Sequence, residues 1–115
     1  MDKVSFEDFK KLELKIGKII SAVPVEKSEK LLKLEVDFGK KDASGLPDRR
    51  QVISGIAGSY SQDDLVGKSF VFVTNLEPRT IMGLESQAMI LAAEGEDGPV
   101  CLTPTEEVPP GTIIS

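Results

Sequence analysis

Histidine and tryptophan are absent from this 115-residue chain, and cysteine occurs once, as Cys101. Without histidine, no side chain has an unperturbed pKa suited to acid-base work near neutrality. A lone cysteine makes no intramolecular disulfide and no metal cluster, which fits a reducing compartment. Glycine-rich phosphate loops are missing as well, and the acidic stretch "EGEDG" at 94–98 lacks the ordered ligand spacing of a calcium loop, so it reads as a solvated hairpin tip. Long apolar runs are also lacking. The longest, "AMILAA" at 88–93, is far too short to cross a bilayer, and the opening "MDKVSFEDFKKL" has no signal-peptide core. These absences predict a cytoplasmic protein that is no enzyme by itself, needs no metal or other cofactor, and does not enter a membrane. Aromatic residues are scarce at 5%, and Phe38, Phe70 and Phe72 are expected in the core. That leaves Tyr60 as the one exposed platform, so extended stacking on single-stranded nucleic acid is poorly supported.

What is present suits one globular domain over residues 1–115, at a size where a single core is often only marginally stable. The net charge of −5 argues against simple nonspecific affinity for nucleic acid, but it hides a gradient. Residues 1–50 carry twelve basic and ten acidic side chains, whereas residues 51–115 carry two and nine. Such lopsidedness can focus an anionic ligand on one face, or it can be ordinary surface solvation.

Hydropathy patterning predicts an all-β fold. Ser5 and Asp8 resemble a capping box, with Phe6, Phe9 and Leu12 at helical spacing, which gives a short helix at about 5–11. "LELKIGKII" follows with strand periodicity, placing Leu12, Leu14, Ile16 and Ile20 on one phase, and Gly17 suggests a bend or bulge. "LLKLEVDF" alternates cleanly, with Leu32, Leu34, Val36 and Phe38 on one face. The polar loop "GKKDASGLPDRR" leads to a third strand in "QVISGIA". A helical turn is predicted at about 61–66, with Ser61 and Asp64 at its start and Gly67 at its stop. "SFVFVTNL" forms a fourth strand, "QAMILAA" a fifth with both faces buried, and "PVCLTP" a further short one. Five curved strands with one helical turn between the third and fourth predict an OB-fold five-stranded barrel; a sandwich is the alternative.

The stretches "FEDFKKLELKIGKI", "SEKLLKLEVDFG", "RQVISGIAGSYSQDDLVGK", "NLEPRTIMGLESQAMILAA" and "VPPGT" together resemble the tRNA-binding domain family. That family comprises the C-terminal domain of methionyl-tRNA synthetases and its stand-alone homodimeric tRNA-binding relatives. The resemblance covers nearly the whole chain. It implies an OB barrel with a C-terminal β extension, a homodimer, recognition of folded tRNA by shape and backbone, and service to aminoacylation, either as a domain of a synthetase or beside its catalytic domain. It also implies that Lys30, Asn75, Arg79, Ser86, Gln87 and Met89 belong to the RNA-facing surface. The chain departs from the pattern after the Pro-Arg pair, where Thr80, Ile81 and Met82 replace the usual basic residues, and before "SEKL", where "VPVEK" lacks His-Pro. Both departures bear on the strength of RNA binding rather than on its existence. Relatives of the same fold that act as export-related chaperones supply an alternative, a dimeric protein-binding module.

Each residue also has a bland reading. Arg79 stands alone between Lys68 and the C-terminus behind the rigid Pro78, and its guanidinium can fork onto phosphate or pair with Glu77 or Glu85. Asn75 can bond a base edge or sugar hydroxyl, or cap the turn beginning at Leu76. Ser86 and Gln87 can face RNA or satisfy neighbouring backbone. Met82 and Met89 can pack an unstacked base or fill core, core being the expectation for Met89. Lys27, Lys30 and Lys33 can track phosphates or keep a strand edge soluble.

Overall fold

The computed structural model describes residues 1–41 and 44–115. The chain runs through α1 (Phe6–Phe9), β1 (Leu14–Pro24), β2 (Leu32–Lys40), β3 (Pro47–Ser54), α2 (Gln62–Leu65) and β4 (Ser69–Val73). It continues through β5 (Arg79–Ile81), β6 (Leu84–Ser86), β7 (Met89–Ile90), β8 (Ala92–Gly95), β9 (Gly98–Cys101) and β10 (Ile113–Ile114). The main sheet has the order β3-β2-β1-β4-β7, and β10 adds to β1. The amide of Gln87, just ahead of β7, donates to Gln51 O of β3 at 2.8 Å, so the curled sheet meets its own far edge. This is the OB-type barrel that the strand count and the position of the helical turn predict.

Period-two alternation builds the core. Leu32, Leu34, Val36 and Phe38 of β2 all face inward and are buried, while Lys33, Glu35 and Asp37 alternate outward. Phe38 meets Phe72 of β4 edge to face, with ring centroids 5.2 Å apart, a favoured aromatic geometry. Leu65 of α2 is fully buried beneath the barrel. The carboxylate of Asp64 accepts from both the amide and the hydroxyl of Ser61 at 2.9 and 3.0 Å, which fixes the start of that turn. At its end Gly67 adopts φ +83° and donates to Ile19 O.

The first strand departs from its predicted phase. Pairing with β2 passes from Ile19↔Val36 to Ser21↔Glu35, so Ile20 is the extra residue of a bulge. Ahead of the bulge the core-facing phase runs through Gly17 and the fully buried Ile19 rather than through Ile20, and the bulge moves that phase on to Ala22. Gly17 is not the bend; it lies where three core side chains converge. A Cβ there would stand 2.5 Å from Val36 Cγ1, 2.6 Å from Phe38 Cε1 and 2.9 Å from Phe72 Cδ1. Gly17→Ala is therefore expected to cost about 1–3 kcal/mol through overpacking, read as a lower urea midpoint. An unchanged midpoint would mean that the barrel has slack at its centre.

Three other boundaries move. β3 begins at Pro47, four residues before "QVIS", and converts the second half of the predicted loop into a strand; Asp42 and Ala43 of that loop lie outside the described residues. "QAMILAA" is not one strand buried on both faces. Met89 and Ile90 pair with β4, after which Ala92 and Ala93 join the separate β8–β9 hairpin and are exposed. The acidic "EGEDG" forms that hairpin's tip. Finally, α1 is shorter than predicted and buries nothing: Ser5 caps it by accepting from Asp8 N, but Phe6 is 72% exposed, and Phe9 and Leu12 are also exposed.

Candidate nucleic-acid interface

The connection from β4 to β7, residues 74–88, carries most of the predicted site residues, and the barrel holds it from beneath. Arg50 of β3 is the main fixture. Its guanidinium forks onto Asp48 at 3.0 and 3.1 Å, donates through Nη1 to Thr74 O at 2.5 Å, and lies 5.3 Å over the Phe38 ring. Asp48 is only 2% exposed. A bidentate charged pair of this kind is geometrically specific. Sequence reasoning missed it because "PDRR" reads as polar loop. One signal was available, since Asp48 and Arg50 share the period-two phase of buried Val52.

Several predicted site residues turn out to bond the protein backbone. Asn75 does not cap a local turn; its Oδ1 accepts from Glu13 N at 2.7 Å and its Nδ2 donates to Lys11 O at 2.6 Å, tying the rim to the segment after α1. Ser86 is buried, accepts from Ile53 N at 3.0 Å and donates to Ala88 O at 3.1 Å. Gln87 accepts from Gln51 N at 2.9 Å, and Gln51 donates to Glu85 O at 2.8 Å. These bonds stitch the rim to β3.

The groups left outward are of another kind. Residues 79–81 and 84–86 form the β5–β6 hairpin, with Arg79 opposite Ser86. Arg79 is exposed, and among the described residues its side chain joins no ion pair, so neither Glu77 nor Glu85 holds it. Met89 is 42% exposed rather than core filling, and with Arg79 it lines a pocket of about 80 Å³ floored by Ile53, Leu76 and Ala88. Lys30 stands exposed in the separate connection between β1 and β2, which Ala57 N anchors by donating to Lys30 O. In OB barrels these two connections flank one face. Tyr60 is not the open platform predicted: it is half-buried against the core, and its hydroxyl accepts from Cys101 N at 3.0 Å. Burial pushes the Cys101 thiol pKa up, against the smaller opposing effect of the Tyr60 hydroxyl, so this cysteine stays a protonated core residue. Among the described residues, no three His, Cys, Asp or Glu side chains gather into a metal-holding group, and no helix is long and apolar enough to cross a membrane.

One titration belongs to the rim. The hydroxyl of Thr74 donates to the Glu13 carboxylate at 2.6 Å and holds its pKa below the ordinary 4.5; burial opposes this, and Lys15 at 3.5 Å assists. A lowered folded-state pKa means that the unfolded chain binds more protons, so this stabilisation is present above pH 4.5 and is lost as pH falls through the folded value. Ser61 acts in the same direction on exposed Asp64, whose ordinary value is 3.8. Thermal unfolding should therefore drop to lower temperature as pH falls below 4.5, and Thr74→Val should flatten that dependence. An identical acid slope in the variant would remove the role of the hydroxyl.

Comparison with known proteins agrees with this geometry. The model of the family described as "Putative tRNA binding domain" matches residues 14–113. A methionine--tRNA ligase of Archaeoglobus fulgidus is 46% identical over 98% of this chain and 16% of its own length. The chain thus spans about one-sixth of the curated relatives that it matches. Among solved structures, a MetRS related protein from Pyrococcus horikoshii is 36% identical with a TM-score of 0.87, each chain covered in full. The chaperone CsaA of Bacillus anthracis is 32% identical with a TM-score of 0.83, covering 99% of this chain and 100% of that one.

Proposed function

The chain belongs to the tRNA-binding domain family, and from that premise we propose that it is a noncatalytic module that grips folded tRNA by shape and backbone contacts. One observation carries this reading. Arg79 is presented on a hairpin stitched down to β3, yet its guanidinium is left without a protein partner among the described residues. An unpaired cation on a rigid mount loses little on meeting a phosphate, because its position is fixed in advance. Lys30 and Met89 extend the contact. Asn75, Ser86 and Gln87 serve it by holding the rim in place, and the outer edges of Asn75 and Gln87 remain open to a sugar or phosphate.

In the cytoplasm the module assists aminoacylation by raising the local concentration of tRNA at a synthetase catalytic domain, as part of one chain or beside it. It does so as a homodimer. The exposed Phe6, Phe9 and Leu12 precede β1, and exposed Ile113 of β10 pairs against the first residues of that strand, which gathers unburied apolar side chains at one end of the barrel. Such a patch is costly to leave in water. Light scattering should report a particle of twice the 12.4 kDa chain mass, and a particle of single mass at micromolar concentration removes the dimer.

A second reading is a dimeric protein-binding chaperone. The full-length likeness to CsaA and the exposed, adaptable Met82 and Met89 favour it. Filter binding tests the first reading: folded tRNA should outcompete an unstructured RNA of equal length. Equal affinity for both RNAs would defeat recognition by shape.

A further inference from the structure

The β5–β6 hairpin turns through Met82 and Gly83, both at positive φ, +50° and +79°. A two-residue turn of this kind favours Asn-Gly or Gly-Gly, because other residues are strained there. Met82 gains no compensating burial, since its side chain is 57% exposed. A strained residue that the fold neither needs nor buries points to a role outside the fold. Across from it, in the β1–β2 connection, Lys27 is the other non-glycine residue at positive φ among the described residues, +66°. Between them lies an open groove of about 440 Å³, with Val23, Pro24 and Leu84 on its apolar walls and Lys27, Lys33 and Glu26 as its charged residues.

We propose that this groove takes one unpaired nucleotide of the bound RNA, with its base laid on Met82 and the apolar wall and its phosphate met by Lys27 and Lys33. This rests on the tRNA-binding reading and adds a subsite to it, distinct from the pocket of Arg79 and Met89. The groove falls within the range of small-molecule sites, about 300–1,000 Å³, and so suits a single base better than the run of side chains that a polypeptide lays down. Two lysines against one glutamate match an anionic ligand. A thioether also packs favourably on an aromatic face without demanding one base over another. The groove therefore supplies grip without sequence preference, in keeping with the scarcity of aromatic platforms elsewhere.

Met82→Gly tests the proposal, because glycine relieves the turn while removing the platform. Filter-binding titrations with bulk folded tRNA and with a blunt, fully paired RNA duplex should show tRNA affinity reduced about two- to tenfold, duplex affinity unchanged, and the melting temperature of the protein equal or higher. Lys33→Gln should make the salt dependence of tRNA binding shallower by about 0.7 in log-log slope. Unchanged tRNA affinity in Met82→Gly overturns the subsite while leaving the parent reading intact. A wild-type protein that binds no tRNA overturns both. If Met82→Gly weakens capture of unfolded casein but not of tRNA, the groove belongs to polypeptide and the proposal fails.

Discussion

Replacing Arg50 with alanine should destabilise the protein by about 3–5 kcal/mol, because it strands a buried carboxylate. Asp48 is nearly inaccessible, and Arg50 meets both of its oxygens. Desolvating an ion pair is already costly, and removing one partner leaves the other charge uncompensated in low dielectric. Domains of this size are stable by only about 5–15 kcal/mol, so a large share of the total is at stake. The same guanidinium also holds Thr74 O and covers Phe38. The loss should therefore reach the rim, and limited proteolysis should cut within residues 74–88 before the barrel unfolds. Combining Arg50→Met with Asp48→Leu should recover most of the stability, since an apolar pair of similar volume avoids the stranded charge. Urea unfolding of the two single variants and the double variant gives the coupling. A single-variant cost below about 1 kcal/mol would place the pair in the ordinary surface class.

Arg79→Ala should behave in the opposite way, leaving stability unchanged within about 0.5 kcal/mol while weakening tRNA binding by about 1–3 kcal/mol. No protein partner is lost, because none is made among the described residues. The log-log salt slope should become shallower by about 0.9, as expected for one phosphate contact fewer. Asn75→Ala and Ser86→Ala supply the contrast. Each leaves backbone groups unsatisfied, at Glu13 and Lys11 in one case and at Ile53 and Ala88 in the other, so each should lower the urea midpoint. An Arg79→Ala protein that binds tRNA as well as the parent moves the contact to another face.

The barrel was legible in the sequence wherever a strand has one buried and one solvated face. "LLKLEVDF" is the clearest case, and Leu32, Leu34, Val36 and Phe38 all reach the core. Legibility failed where a local device altered the pattern. In β1 the core face runs through Gly17 and Ile19 and then, past the bulge at Ile20, through Ala22, and neither an inward glycine nor an inserted residue leaves a mark in hydropathy. The Asp48–Arg50 pair made an inward strand look like a loop, since a charge neutralised by its i+2 neighbour is counted as polar all the same. "QAMILAA" was misread because its partners change midway, from β4 to β9, and partner exchange is set by topology rather than by composition. The rim was legible as a place but not as a division of labour. Asn75, Ser86 and Gln87 were recognisable polar residues between apolar runs, yet that their side chains fasten backbone 33 to 64 residues away in sequence depends on long-range closure. Arg79 was the exception, because its isolation from other basic residues in the sequence persists as isolation from partners in space among the described residues.

A fixed set of cations on an otherwise acidic protein should show itself most directly in how salt weakens its hold on RNA. Filter-binding titration of bulk tRNA from low to physiological salt should give log K falling linearly with log salt at a slope of about −0.7 to −0.9 for each phosphate neutralised, steeper than about −2 for a surface built from Arg79, Lys30 and their neighbours. A flat line, or no measurable affinity at low salt where electrostatic attraction is strongest, would contradict it.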